Sequence, residues 1–409
     1  RLGHDVRWDW QRRGKHLEHN DGARRRGVTS RMALGPDIEL ASEHEGSVAA
    51  ETRGKKRKPV GARERKVAVK GVSWIATVCC ILLVPAILLA ATGYNPLTVY
   101  TQIASGSVGS VQRLLISLDK SIGLIFVGLA ATVAFRCGVW NIGLQGQLLM
   151  GGLGAAIGGL YLGNLATPLH IFVMVLLALA GGAVWGLIPA VLRQRFKVNE
   201  LVSSLLLNYV AFYLIVYMVR WPMHGTMTIG PHTDTISPTA MIPAFSASYS
   251  LKISFVFALL LGLLIAWLFN STVYGYWISA IGHNPLASRL GGISVTKVII
   301  VVFLVSGALA GLAGMNEVAG TTHSLGENIA VNYGFFGVAA ALIGGMRPMV
   351  VVLVSIFIGC LLTGGLWVQS TLGVSSDVVL IIIACFLIGL LLEPVIERRL
   401  QGAMVEEVR

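Results

Sequence analysis

The stretch Phe135-Arg-Cys-Gly-Val-Trp-Asn-Ile-Gly-Leu-Gln-Gly-Gln-Leu-Leu-Met-Gly151 sets glycines and carboxamides between two apolar runs, at about 121–135 and 144–163. Gly138, Gly143 and Gly146 interrupt or crowd a helix, while Asn141, Gln145 and Gln147 carry amides to the depth of the flanking runs. Amides that leave water need protein or a water-filled cavity as their partner. Two readings follow: a broken helix that lines a solute path, or amides that join helices across a bundle.

The surrounding chain makes membrane depth the right frame. Of its 409 residues, 55% are hydrophobic and 13% charged, against about 25% charged in an average soluble domain. Mean hydropathy is +0.72. An excess of apolar matter on this scale needs lipid as solvent, and the 48 glycines suit close approach of membrane helices. The expected fold is all-α, a polytopic helical bundle with broken or short helices near the midplane. About ten apolar segments read as crossings: 72–92, 121–135, 144–163, 168–192, 199–220, 253–270, 297–315, 334–346, 349–367 and 377–396.

The formal charge of +12 does not point to nucleic acid, because the basic residues fall in the N-terminal region and in short connections between apolar runs. Lys and Arg collect on the cytoplasmic side of membrane spans. With ten crossings and the N-terminal region inside, Arg136, Arg193, Arg195, Lys197, Arg289, Lys297, Arg347, Arg398 and Arg399 all lie inside; Arg113, Lys120, Arg220 and Lys252 lie outside. Both termini are therefore expected in the cytoplasm of a multi-pass inner or plasma membrane protein. Residues 1–31 read as an over-extended start with Met32 as a plausible true one, 32–70 as a disordered basic tail, 71–397 as the membrane domain and 398–409 as a C-terminal tail.

Five cysteines lie within or beside apolar runs, with no zinc-ligand spacing. The proline-rich segment 221–252 carries His224, His232 and Asp234 at spacings that fit no common ligand pattern, so no metal is expected and the segment reads as a solvated loop or a docking face. No phosphate loop, His-Glu-x-x-His helix or Gly-x-Ser-x-Gly elbow occurs, so no catalytic constellation or cofactor is expected in this chain. Small residues at Gly154 and Gly158, at Gly307 and Gly311, and at Ala310 and Gly314 read as packing faces.

Two further segments carry chemistry. Asn284-Pro285 is a helix-start signal and Gly291-Gly292 a stop. The short helix between them offers Leu286, Leu290 and Ile293 as an apolar edge, either for the groove of a cytoplasmic partner or for the headgroup layer. Glu317 places a carboxylate near the outer end of a span, beside a solute path or within reach of water.

Taken in order, these segments resemble the permeases of ATP-binding-cassette importers of the branched-chain amino acid and ribose class, most closely those of nucleoside uptake. The likeness is carried by Phe135 to Gly151, Val198-Asn199-Glu200 with Leu207-Asn208-Tyr209, Gly282-x-Asn284-Pro285-x-Ala287, Ser306 to Gly314, and Gly334 to Gly344. It covers about residues 72–400. Gln145 stands where the family pattern often has Glu, and Trp140 where it often has Phe. The resemblance implies that 282–293 (Gly282, Asn284, Pro285, Leu286, Ala287, Arg289, Leu290, Gly291, Ile293) is a coupling helix. It places Asn141, Gln145, Gln147 and Asn208 in or beside the solute path, with Trp140 and Phe336 as candidates for stacking on a base. The implied partners are ATPase subunits carrying ATP and Mg, a second and different permease, an extracytoplasmic solute-binding lipoprotein, and membrane lipid. A monosaccharide or a branched-chain amino acid is the alternative solute, and an intramembrane enzyme or scaffold the alternative of another class.

Overall fold

The computed structural model describes residues 62–163, 165–226, 230–246 and 249–406. The over-extended start and most of the basic tail expected from the sequence lie outside these residues. The chain is helical from α1 (Ala62–Ala91) through α2 (Pro96–Val108), α3 (Val111–Arg136), α4 (Leu144–Tyr161), α5 (Thr167–Phe196) and α6 (Glu200–Arg220). A short 3-10 turn at Pro238–Ala240 and a two-stranded antiparallel hairpin, β1 (Ala244–Ser246) and β2 (Tyr249–Lys252), follow. The second half runs through α7 (Ser254–Ser271), α8 (Val273–His283), α9 (Pro285–Leu290), α10 (Val295–Asn316), α11 (Tyr333–Ile343), α12 (Pro348–Leu372) and α13 (Ser376–Glu406).

Eight helices among the described residues are long and apolar enough to cross a membrane, against the ten expected. The other two expected crossings are helices of a different kind. Helix α4 is diluted by Gln145, Gln147 and its glycines. Helix α11 has 11 residues, a length of about 16 Å at 1.5 Å per residue, roughly half of a hydrocarbon core. The basic stretch 62–70, expected to be irregular, is already helical, and α13 carries the helix past residue 397 into the expected tail. Helix α2 was not expected, because Thr98, Thr101, Gln102, Ser105 and Ser107 break any apolar run. Asn95 caps it and Pro96 opens it. Its Gln102 accepts a hydrogen bond from Trp367 of α12 at 3.1 Å.

Helix α3 is the axis of the bundle: every residue from Ser121 to Phe135 is buried. Around it the backbones of α4, α5 and α10 meet through glycine. A Cβ on Gly151 would overlap Gly311, one on Gly182 would overlap Gly307, one on Gly311 would overlap Ala178, and one on Gly314 would overlap Leu148. Gly154 and Gly158 face Leu177 and Met174 of α5. All the small-residue faces read from the sequence therefore pack helices, and Gly182 and Gly186 of α5 complete the seam. With lipid as apolar as the helices, such contact and interhelical hydrogen bonds supply the cohesion.

The 221–252 connection is not free in solvent. Its backbone lies along 319–326, with Thr233 donating to Leu325, Ile236 to His323 and Ile242 to Ala319, each at 2.9 Å. Arg220 adds an ion pair to Glu327 at 2.9 Å.

Gly314→Ala is expected to destabilise the purified protein by about 1–3 kcal/mol, the range for overpacking. Gly71→Ala, where a Cβ meets nothing within 4 Å, is expected to be neutral or to stabilise by up to about 1 kcal/mol. Thermal unfolding in detergent, followed by size-exclusion fluorescence, separates the two.

Candidate functional site

Helix α3 ends at Arg136 and the chain turns at Gly138, whose φ of 71° favours glycine. The next residues run back into the bundle before α4 begins at Leu144. How far back is fixed by their partners. Asn141 donates to Ser306 Oγ at 3.0 Å, and Ser306 is at the midpoint of α10. Ile142 and Gly146 are held by Asn208, near the middle of α6. Residues 139–143 are thus unwound backbone deep among helices that have the length of membrane spans.

Every polar group of such a stretch needs a partner inside the protein; the Val139 N–H donates to Ala134, the Asn141 N–H to Val139 and the Gln147 N–H to Gly143, and three side chains add to these. Asn208 accepts from the Gly146 N–H at 2.8 Å and donates to the Ile142 carbonyl at 2.9 Å. Ser204, one turn earlier on the same face, accepts from the Ile142 N–H at 3.2 Å. Asn141 accepts from its own loop's Gly143 N–H at 3.2 Å. Asn141 and Gln147 also exchange amides, at 3.0 and 3.1 Å, and with 0% and 1% exposure they are sealed from solvent. Ser306 completes the set by donating to the Ala130 carbonyl of α3 at 2.9 Å.

Gln145 points elsewhere. Its Nε2 donates to the Ala330 carbonyl at 3.0 Å, and its Oε1 accepts from the Gly334 N–H at 2.7 Å. It clasps the start of α11 and the preceding loop, where Ala330 and Asn332 hold positive φ. Gly334 allows this closeness, since a Cβ there would lie 2.5 Å from the Gln145 nitrogen. Phe336 is half-buried on α11. Trp140 is exposed and packs on Phe135 with ring centroids 5.1 Å apart.

Glu317 is separate from this group. It opens a π-helical turn, Glu317–Thr322, that continues α10. Its carboxylate and the Tyr333 ring both lie against Gly123 of α3. Nearby, Asp119 accepts from the Lys252 N–H at 3.2 Å. The residues suggested for a solute path therefore form three groups: Asn141, Gln147 and Asn208, with the exposed Trp140, around the unwound loop; Gln145 and Phe336 at α11; and Glu317 at the head of the 317–322 turn.

The 282–293 segment is a capped single turn and a half. Asn284 accepts from the N–H groups of Leu286 and Ala287 at 3.1 and 3.0 Å, Pro285 opens α9, and Gly292 leaves it with a φ of 83°. Leu286 and Leu290 project with 67% and 83% of their surface exposed. The base of this segment rests directly on the turn after α3. A Cβ at Gly138 would lie 3.3 Å from the Gly282 Cα, and Arg136 donates to Ser279 Oγ at 3.0 Å while stacking over Phe269 at 4.4 Å. Beside it opens a cavity of about 520 Å³ lined by Cys137, Gly138, Arg193, Lys197, Pro285 and Arg289, among others. Arg193 there pairs with Glu200 at 3.0 Å. Cys137 is buried at the edge of this cavity.

Residues 113–391 match the family described as the permease component of the branched-chain amino acid transport system. The chain belongs to that family. Known proteins similar to this permease include a guanosine ABC transporter permease of Bacillus subtilis, 31% identical over 74% of this chain and 88% of the relative. A nucleoside ABC transporter permease of Lactococcus lactis is 27% identical over 78% and 90%, and a glucose ABC transporter permease of Haloferax volcanii is 32% identical over 78% and 86%. No solved structure matches the chain.

Two members of the polar group were not singled out from the sequence. Ser204 was legible in principle, four residues before Asn208 and so on the same helical face. Ser306 opens the Ser306 to Gly314 stretch, but which helix it would face was not legible.

Asn208→Ala removes both partners of the unwound backbone and is expected to cost about 1–3 kcal/mol for each group left unpaired. Asn199→Ala, which removes only an exposed helix cap, should cost about 1 kcal/mol. Chemical unfolding of the two variants tests the order. Gln145→Ala is expected to speed amide exchange across 323–334 by about tenfold per 1.4 kcal/mol lost, with 62–91 unchanged, read by hydrogen–deuterium exchange.

Proposed function

We propose that this permease is one half of the membrane channel of an importer for nucleosides, driven by ATPase subunits that bind ATP and Mg on the cytoplasmic side and supplied by an extracytoplasmic solute-binding lipoprotein. The observation that carries the reading is the contact between Gly138 and Gly282. An exposed, capped apolar helix, built to fit a partner's groove, rests on the turn that leads into the unwound loop. Movement of the 282–293 segment can reach the loop through the Gly282 contact at the end of α8. This is the arrangement that alternating access needs, with rigid elements rocking around a site near the midplane.

In this reading the chain itself is not an enzyme and changes no bond in the solute. The path runs beside the loop shaped by Asn141, Gln147 and Asn208, with Trp140 and Phe336 offering aromatic faces to a base, and Gln145 and Glu317 setting the position of the elements around it. The basic end that holds Arg193, Lys197 and Arg289 faces the cytoplasm, in keeping with the distribution of Lys and Arg. Nucleosides are favoured as solute by two of the relatives named above. The glucose permease of Haloferax volcanii supports a second reading, a monosaccharide.

Vesicles carrying the whole importer should take up radiolabelled guanosine when ATP is supplied on the cytoplasmic side. Excess unlabelled nucleoside should compete and glucose should not; the reverse pattern assigns the solute to the second reading. Leu286→Asp with Leu290→Asp is expected to lower uptake and the solute-stimulated ATPase rate by at least tenfold while leaving solute binding to the lipoprotein unchanged. Undiminished uptake would remove 282–293 from the coupling role.

A further inference from the structure

The cavity beside the 282–293 segment differs from others in the protein. Those bordered by Phe126 and Phe257, and by Trp277 and Val302, have almost wholly apolar walls, whereas this one is walled mostly by polar atoms. Three cations, Arg193, Lys197 and Arg289, line it with a single carboxylate, Glu200. Glu200 is committed to Arg193 at 3.0 Å, yet the buried Nη1 of Arg193 makes no hydrogen bond, because the carboxylate lies off the line of its N–H. Lys197 and Arg289 have no acidic partner among the described residues. Arg113, Arg136 and Arg220, by contrast, each bond within the chain.

The backbone at Lys197 supplies an independent observation. Helix α5 ends there in a left-handed turn with a φ of 59°. The turn is closed by the Lys197 N–H on the Arg193 carbonyl at 3.1 Å and the Val198 N–H on the Leu192 carbonyl at 3.2 Å. Glycine is the usual residue at such a position, since a Cβ strains the turn. A lysine that bears this strain, on the wall of a cavity with excess positive charge, points to a use for its side chain. Arg289 reaches the same cavity from α9. Among the described residues, no hydrogen bond or ion pair links 192–200 with 282–293.

We propose that this cavity is a binding site for a phosphate group, carried either by inorganic phosphate or by the headgroup of an anionic lipid. Phosphate oxygens accept several charged hydrogen bonds at once, and guanidinium groups fit them in pairs while lysine adds a point charge. At about 30 Å³ per water, a cavity of about 520 Å³ admits such a group with its hydration. Basic pockets between helices at the cytoplasmic side are places where lipid phosphates collect. The bound group neutralises the excess charge and ties Arg289 of the 282–293 segment to the end of α5. The site lies within this chain alone and so goes beyond the importer reading.

The test follows hydrogen–deuterium exchange of the whole importer in nanodiscs. One arm compares phosphatidylcholine discs with discs that also contain phosphatidylglycerol. The other adds inorganic phosphate to phosphatidylcholine discs, against chloride at the same ionic strength. Exchange in 192–200 and 282–293 is expected to slow in at least one arm, by about tenfold when the ligand is at ten times its Kd. Slowing with phosphatidylglycerol alone assigns the phosphate to lipid, and slowing with inorganic phosphate assigns it to solution. Lys197→Gly combined with Arg289→Gln, compared with itself with and without ligand, should lose the response. Arg347→Gln, a cation outside the cavity, should keep it. Lys197→Gly removes the charge while relieving the turn, so a lost response is not unfolding; should Arg289→Gln prevent assembly, Lys197→Gly alone carries the test. Two results overturn the proposal: no slowing in either arm, as when an ATPase subunit fills the cavity, or slowing that survives in the double variant, which makes it an effect of surface charge in general.

Discussion

Unwound backbone buried among membrane-length helices is the constraint around which this structure is organised. Between Arg136 and Leu144 the chain gives up helical hydrogen bonding in a place where water does not replace it. The two carboxamides Asn141 and Asn208 and the hydroxyl of Ser204, together with short-range backbone bonds, restore part of what is lost. Asn208 alone binds one donor and one acceptor of the loop. A carboxamide does both from two separate atoms, whereas a serine would have to donate and accept at one oxygen closer to the backbone and a carboxylate could not donate.

That network works only if the helices bearing it are close. Asn141 belongs to the loop, Gln147 to α4, Asn208 to α6 and Ser306 to α10, and hydrogen bonds near 3 Å fix all four within a narrow space. The glycine seam makes the approach possible, because Gly151, Gly182, Gly307, Gly311 and Gly314 remove the side chains that would hold α4, α5 and α10 apart. Packing and polar satisfaction are therefore one design here. A methyl group in the seam would spread the helices and stretch the hydrogen bonds that keep the loop supplied.

Long apolar helices, the small-residue faces, the interruption at Gly138–Gly143 and the capped turn at 284–290 were all legible from residue type and spacing, because each follows from local rules. What was not legible depends on which surfaces meet. Gln145 and Gln147 are two residues apart and chemically identical, yet one is sealed against Asn141 and the other clasps the start of α11; only the facing elements decide this. Helix α2 has no apolar run to mark it: the hydroxyls of Thr101, Ser105 and Ser107 bond to carbonyls of its own turns, and Gln102 is matched by Trp367 of α12. The 221–252 connection read as a loop in solvent because nothing in its composition reveals that its N–H groups would find carbonyls in 319–326. Length, too, misleads when apolarity is counted alone, as the 11-residue α11 shows.

The difference between Gln145 and the glutamate common in the family's pattern has a local meaning. Glutamine both donates to the Ala330 carbonyl and accepts from the Gly334 N–H, whereas an ionised glutamate could only accept. A carboxylate there would keep the bond to α11 and repel the carbonyl of the loop before it. In this chain the residue thus couples α4 to both sides of the bend at 330–334, where Ala330 and Asn332 hold backbone conformations that cost free energy unless the surroundings enforce them. Gln145 supplies that enforcement. It sits one residue from Gly146, whose N–H is held by Asn208, so the clasp on α11 and the supply to the unwound loop share one turn of helix. A change of solute preference traced to this position would then arise from how α11 and Phe336 are set against the loop, and not from the loss of a charge facing the solute.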